Sequence, residues 1–116
     1  MPTVLVVDDH ADFRVSARAL LEADGFIVIG EAATGVAAIR AAIDLTPDVV
    51  LLDIRLPDLD GIAVAGTLAA LPGPPAVVLI SSRDRRVYGA RLTRAPVRGF
   101  LPKAELSGAM LRGMLA

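Results

Sequence analysis

Apolar positions along this chain follow two alternating patterns: short, mostly apolar runs, and longer stretches with an apolar residue every three or four positions. The short runs are Thr3 to Val7, Phe26 to Gly30, Val49 to Leu52, Ala76 to Ile80 and Val97 to Leu101. A run with no polar face reads as a strand covered on both sides, as in a parallel sheet. The stretches between them read as helices. Ala11 to Ala23 carries Phe13, Ala17, Leu20 and Leu21 at helical spacing and stops at Asp24-Gly25. Thr34 reads as a helix cap, and Val36, Ile39, Ala42 and Ile43 give the helix after it an inward face. Gly61 to Leu71 is a third helix, closed by Pro72-Gly73-Pro74-Pro75. Asp84 to Leu92 is a weak fourth, rich in arginine and interrupted by Gly89. Ala104 to Leu115 is the last, with Leu106, Ala109, Met110, Gly113 and Met114 on its apolar face. Leu111 and Leu115 fall off that face and read as exposed; such a pair can mark an interface with another domain or subunit, although scattered exposed apolar residues are ordinary.

Strands alternating with helices predict an α/β fold. Five βα units give a five-stranded parallel sheet with helices on both faces, right-handed crossovers and doubly wound topology. At 116 residues the chain reads as one domain, 1–116, with nothing left over for a second.

Composition narrows the class. The chain is 54% hydrophobic but only 3% aromatic, so its core is aliphatic. It has no cysteine, which excludes disulfides, thiolate metal sites and thiol nucleophiles. No window reaches the ~18 consecutive apolar residues of a spanning helix, and the N-terminus has no basic segment leading into an apolar run. The expectation is a cytoplasmic protein away from membranes. A net charge of −1 argues against a nucleic-acid surface, but the charge is uneven. Residues 1–60 hold 11 acids and 4 arginines; residues 61–116 hold 2 acids and 8 bases.

The chemistry lies where the strands end. The first strand runs into Asp8-Asp9, the third into Asp53, the fourth into Ser81-Ser82 and the fifth into Lys103. In a parallel sheet these ends share one edge, where open α/β folds bind ligands. Three carboxylates in one place repel unless a cation sits among them, and oxygen-only ligands select a hard ion such as Mg²⁺. An ion, an ammonium and a hydroxyl around a carboxylate suit phosphoryl transfer to that carboxylate. Singly, each residue has an ordinary explanation: an acid pair before a helix is a cap, Ser81-Ser82 a turn, Lys103 a surface lysine. Jointly they are specific. The chain uses arginine eleven times and lysine once, and that lysine falls at a strand end. An ammonium and a guanidinium are not interchangeable at a phosphoryl group. His10 reads as a solvated loop residue.

With these positions in place the chain resembles the receiver (CheY-like) domain of bacterial two-component response regulators. Asp8-Asp9, Asp53, Leu56-Pro57, Asp60-Gly61, Ser81 and Phe100 through Lys103 carry the resemblance along its whole length. Asp8-Asp9-His10 with Phe13-Arg14, and Arg98 to Lys103, look most like the branch with helix-turn-helix outputs, the NarL/LuxR type. The resemblance implies that Asp53 accepts the phosphoryl group. It implies that Asp8, Asp9, Asp53 and the backbone carbonyl of Arg55 hold Mg²⁺, and that Ser81 and Lys103 contact phosphoryl oxygens. Ser81 and Phe100 would form the switch, with Phe100 rotating inward as Ser81 moves toward the phosphoryl group. Implied partners are a sensor histidine kinase, a second copy of the domain, and DNA only through an output domain outside this chain. Such a domain assists its own phosphorylation and dephosphorylation but is not an enzyme acting on other substrates.

The chain departs from the family at several points. Ala104 follows the lysine where many members have a proline after a cis bond, and a cis bond to a non-proline costs roughly 3 kcal/mol. Phe100 lacks the hydroxyl of the commoner tyrosine. Ser82 is larger than the alanine often found there. Arg55 and Arg83 flank the site and bear on how fast water removes the phosphoryl group. Other readings fit less well. A flavodoxin-type loop would not place two aspartates against a phosphate, Asp53-Ile54-Arg55 lacks the second acid of a haloacid dehalogenase phosphatase, and no nucleotide-binding P-loop occurs. The remaining alternative is an atypical stand-alone receiver that signals by binding without phosphorylation, usually marked by a broken acid set.

Overall fold

The computed structural model describes residues 1–116. Its strands are β1 (Thr3–Val7), β2 (Ile27–Ala32), β3 (Val49–Asp53), β4 (Ala76–Ser81) and β5 (Gly99–Pro102). Its helices are α1 (Ala11–Ala23), α2 (Gly35–Leu45), α3 (Gly61–Ala69), α4 (Ala90–Arg94) and α5 (Gly108–Leu115). All strand pairings are parallel, in the order β2-β1-β3-β4-β5. The chain reverses its direction of winding between β1 and β3, and that crevice is the switch point of a doubly wound sheet.

The central strands contain aliphatic residues at nearly every position, so both faces of the sheet are covered. The pleat sorts them. Val4, Val6, Val49, Leu51, Val78, Ile80 and Leu101 meet Ala17 and Leu21 of α1 and Leu111 of α5. Leu5, Val7, Val50, Leu52, Val77, Leu79 and Phe100 meet Ala38 and Ala42 of α2 and Val64, Ala65 and Leu68 of α3. The same alternation carries past the strand ends. Asp8 and Asp53 continue the phase of the α1/α5 face, whereas Ser81 continues the phase of the α2/α3 face.

Two helices sit in a different rotational phase from the one the apolar spacing predicts. In α2, Val36 and Ile43 are about half exposed, and Gly35, Ala38 and Ala42 turn inward. Small residues let the helix approach the sheet closely. Leu59, from the loop after β3, lies over Gly35, so a Cβ there would stand 2.8 Å from that of Leu59. In α5, Leu111 is fully buried and Met110 is 44% exposed, the reverse of the expectation. The reason is where the helix starts. Residues 103–105 form a separate 3₁₀ turn, Leu106 lies outside the helix, and Ser107 caps it by accepting from Met110 N–H at 3.0 Å. Counting from Gly108 puts Gly108 and Leu111 on the buried face, with Leu115 packed at its edge. The predicted exposed edge at Leu111 and Leu115 does not exist.

Smaller differences follow from local chemistry. β2 extends to Ala32, whose carbonyl accepts from Asp8 N–H at 3.0 Å. α3 ends two residues before the predicted Leu71. The expected helix from Asp84 to Leu92 is a 3₁₀ turn over Arg85–Val87 followed by α4, broken where Gly89 takes φ +55°. That conformation is cheap only for glycine. The Lys103–Ala104 peptide is trans. Thr34 caps α2 as expected, accepting from Ala37 N–H at 3.1 Å.

The buried position of Leu111 is open to measurement. Leu111→Ala should lower the unfolding free energy by roughly 2–5 kcal/mol, as a cavity in a packed core does. Met110→Ala should stay within about 0.5 kcal/mol of the parent. Urea unfolding of the two variants separates the observed phase from the predicted one.

Candidate functional site

Asp53 is the last residue of β3 and is 3% exposed; Asp8, one residue past β1, is fully buried. Register brings them side by side, because Val7 pairs with Leu52 and each acid is the next residue along its strand. Lys103, just beyond β5, reaches across to both. Its Nζ is 2.6 Å from Asp8 Oδ2 and 3.2 Å from Asp53 Oδ2. The Asp8 contact is an ion pair without hydrogen-bond alignment, so Asp8 Oδ2 is a buried oxygen with no aligned donor. The ring of Phe13 on α1 backs the ammonium, 4.8 Å from its centroid. Arg14 secures the strand end by donating to the Asp8 carbonyl at 2.6 Å while pairing with Glu31 at 3.0 Å.

Electrostatics follow from this crowding. Burial, and then the neighbouring Asp8 charge, push the Asp53 carboxyl up from its ordinary range; Lys103 and the Arg55 N–H, at 3.2 Å from Oδ1, pull the other way and do not fully compensate. Burial alone would lower Lys103, but its contacts with Asp8 and Asp53 outweigh burial and raise it.

Around these groups lies an open cavity of about 380 Å³, lined by Asp9, His10, Asp53, Arg55, Ser81, Arg83 and Lys103 among others. Ser82 is exposed at its rim. A larger groove of about 540 Å³ runs beside Phe100, Arg85 and Leu92, but no cluster of acids converges there. The loop from Ile54 to Asp60 forms one wall of the site and is fixed at several points. Gly61 N–H donates to Ile54 O at 2.7 Å, and a Cβ at Gly61 would run into the Asp53 carbonyl and Ile54 backbone. Asp58 accepts from Gly35 N–H at 2.7 Å and Val36 N–H at 3.0 Å, which hold its carboxyl below the usual range. Asp60 caps α3 through Ile62 N–H at 2.8 Å and pairs with Arg91 of α4.

The structure thus brings Asp9, Asp53, Arg55, Ser81 and Lys103 to one cavity, with Asp8 buried beside it in contact with Lys103. Phe100 lies inward, 4% exposed, beneath Arg85 at 5.5 Å. The sequence reading gave no role to Tyr88, whose hydroxyl lies 2.6 Å from Ser81 Oγ. As the chain's one tyrosine, seven residues past Ser81, it was visible, but the irregular segment around it offers no periodicity to orient it. His10 does more than line a loop. Its Nδ1 is 2.9 Å from Asp8 Oδ1 and 3.1 Å from Asp9 Oδ1, although the ring is 67% exposed.

Comparison with known proteins gives this arrangement a lineage. Residues 4–113 match the response regulator receiver domain family. The chain belongs to that family. It is 34% identical over 104 residues to the response regulator GacA of Pseudomonas viridiflava, covering 89% of this chain and 49% of GacA. It is 37% identical over 91 residues to the transcriptional regulatory protein LiaR of Bacillus subtilis, covering 76% of this chain and 43% of LiaR. A protein-glutamate methylesterase/protein-glutamine glutaminase of Anaeromyxobacter dehalogenans is 40% identical over 106 residues, 90% of this chain and 30% of that protein. The chain spans about half the length of the first relatives or less. Among solved structures, the receiver domain of the response regulator NarL from Mycobacterium tuberculosis superposes with a TM-score of 0.87 at 34% identity, covering 99% of this chain and 97% of that one. No helix is long and apolar enough to cross a membrane.

The acid cluster suits the divalent cation that the receiver resemblance implies. One carboxylate oxygen from each of Asp8, Asp9 and Asp53, with a His10 nitrogen, lies within 4.8 Å of the others. Two buried carboxylates share the single ammonium of Lys103, which leaves net negative charge for a cation to meet.

The raised Asp53 carboxyl predicts a pH-dependent effect. Its proton is held more tightly folded than unfolded, so the group favours folding while protonated and loses that contribution as pH rises through its folded value. At neutral pH its charge is a cost. Asp53→Asn should therefore raise the melting temperature in chelator-treated buffer at pH 7, by about 4 °C if the cost is ~1 kcal/mol. The difference from the parent should vanish as pH falls below the ordinary carboxylate range. Thermal melts of both proteins across pH 3–7 check this.

Proposed function

We propose that this domain receives a phosphoryl group on Asp53 from the phosphohistidine of a sensor kinase and signals by the change that follows. The observation carrying this reading is a buried carboxylate at a strand end, open to a cavity, with one ammonium 3.2 Å from its Oδ2. An Asp53 oxygen attacks phosphorus, the bond to the donor breaks, and the donor leaves with its electron pair. Deprotonated Asp53 is required, and Lys103 with the Arg55 N–H favours that form against burial. As three phosphoryl oxygens spread around phosphorus, Lys103 Nζ and the Ser81 hydroxyl donate to them, charge-assisted hydrogen bonds being the strongest available. Asp8, Asp9, Asp53 and the Arg55 carbonyl would hold Mg²⁺, which supplies neutralising charge to the transferring group. Arg55 and Arg83 at the cavity rim bear on access of water to the product.

The response is read by a domain or partner outside this chain. Likeness to the transcriptional regulatory protein LiaR favours a transcriptional output; on the receiver reading the domain would act in the cytoplasm, reach DNA only through an output domain, and pair with a second copy.

Acetyl phosphate with Mg²⁺ should add one phosphoryl group to the intact mass of the chain. Chelation or Asp53→Asn should remove the gain. Equal labelling of parent and Asp53→Asn would refute the assignment. In the same buffer Mg²⁺ should raise the melting temperature of the parent through linkage, and Asp9→Asn should abolish most of that rise.

A further inference from the structure

Tyr88 is the chain's only tyrosine, and there is no tryptophan. Its ring is 9% exposed and packs on Phe100 with centroids 6.2 Å apart. Its hydroxyl meets Ser81 Oγ at 2.6 Å, and Ser81 is itself buried. Ser81 Oγ also accepts from Arg83 N–H at 3.0 Å.

A serine hydroxyl has one proton and two lone pairs. The Arg83 amide occupies one lone pair. One proton and one lone pair remain for two neighbours, the phenol and an oxygen arriving on Asp53. A phosphoryl dianion has no proton to give, so it can only accept a hydrogen bond from the serine O–H. The phenol can donate or accept. With the anion present only one arrangement satisfies all three groups: Tyr88 O–H donates to Ser81 Oγ, and Ser81 O–H donates to the phosphoryl oxygen. Without the anion the Ser81–Tyr88 bond can run the other way, with the serine proton turned from the site.

We propose that Tyr88 is a positioning residue for phosphoryl transfer, its phenol donating to Ser81 Oγ and so committing the serine proton to the incoming phosphoryl oxygen. This rests on the phosphoacceptor reading of Asp53. The two hydroxyls form a short chain in which each bond polarises the next. The device also gives the other face of the sheet a link to the site. Tyr88 stands between the 3₁₀ turn at Arg85–Val87 and Gly89, so the direction of its hydroxyl joins the bond at Ser81 to the segment leading into α4.

Tyr88→Phe removes the hydroxyl and keeps the ring on Phe100. The rate of Asp53 labelling by acetyl phosphate with Mg²⁺ should fall roughly three- to tenfold, the range of one hydrogen bond. In a Ser81→Ala background the same change should cause no further fall, because Tyr88 acts through Ser81. A packing role would slow both backgrounds alike. The lone phenol also supplies its own signal. On adding Mg²⁺ and beryllofluoride as a phosphoryl stand-in, the near-UV tyrosine band of the parent should shift to the red as the phenol becomes a donor, and Ser81→Ala should lose that shift. If the parent is not labelled on Asp53, the phosphoacceptor reading fails and takes this inference with it. If the parent is labelled but Tyr88→Phe keeps its rate, or slows the Ser81→Ala protein equally, the inference alone fails. Should Tyr88→Phe not fold, the near-UV comparison decides, and a band that does not move overturns the role of Tyr88.

Discussion

Two carboxylates, Asp8 and Asp53, end adjacent parallel strands in the protein interior, and one ammonium from Lys103 answers both. Burying like charges together is costly, and a single lysine cannot pay for two aspartates. The structure tolerates the imbalance because the sheet beneath is aliphatic on both faces and holds the strand register firmly. Phe13 and Arg14 on α1 then fix the ammonium and the Asp8 carbonyl, so the tension is kept at one place. A site built this way favours whatever brings positive charge to it. The same cavity rim carries Arg55 and Arg83, exposed and able to shift, which complements an anion arriving from outside.

The walls are as constrained as the floor. The loop after Asp53 is tied to its own start by Gly61, to α2 by Asp58, and to α4 by the Asp60–Arg91 pair. Each tie uses a backbone amide or a charge that would otherwise be left at a helix end or in the open. Change at Asp53 is therefore not absorbed by a slack loop. By contrast, the segment from Ser82 to Arg94 has a 3₁₀ turn, a break at Gly89 and one short helix, with Tyr88 as its deepest anchor. Little packing has to be undone to move it, so it is the least costly part of the site's surroundings to rearrange.

Strand parity separates two sets of side chains. Asp8 and Asp53 follow the phase of side chains facing α1 and α5, and Lys103 meets Phe13 there. Ser81 follows the opposite phase and meets Tyr88 and, through it, Phe100. The charged groups and the Ser81–Tyr88–Phe100 contacts thus stand on opposite faces of one sheet edge, with Ser81 also lining the cavity.

The sequence by itself determined the order of elements, the parallel sheet and the meeting of Asp8, Asp9, Asp53, Ser81 and Lys103. Unbroken aliphatic runs identify buried strands, and parallel strands bring their ends to one edge whatever the details of packing. The rotational phase of α2 and α5 was decided only by tertiary structure. Those helices carry apolar residues around much of their circumference, so spacing defines a face only once the first helical residue is known, and the Ser107 cap moved it. The Ser81–Tyr88 bond and the hold of Asp58 on α2 were likewise invisible. Each joins residues whose approach depends on strand register and on irregular backbone, and neither leaves a period in the sequence.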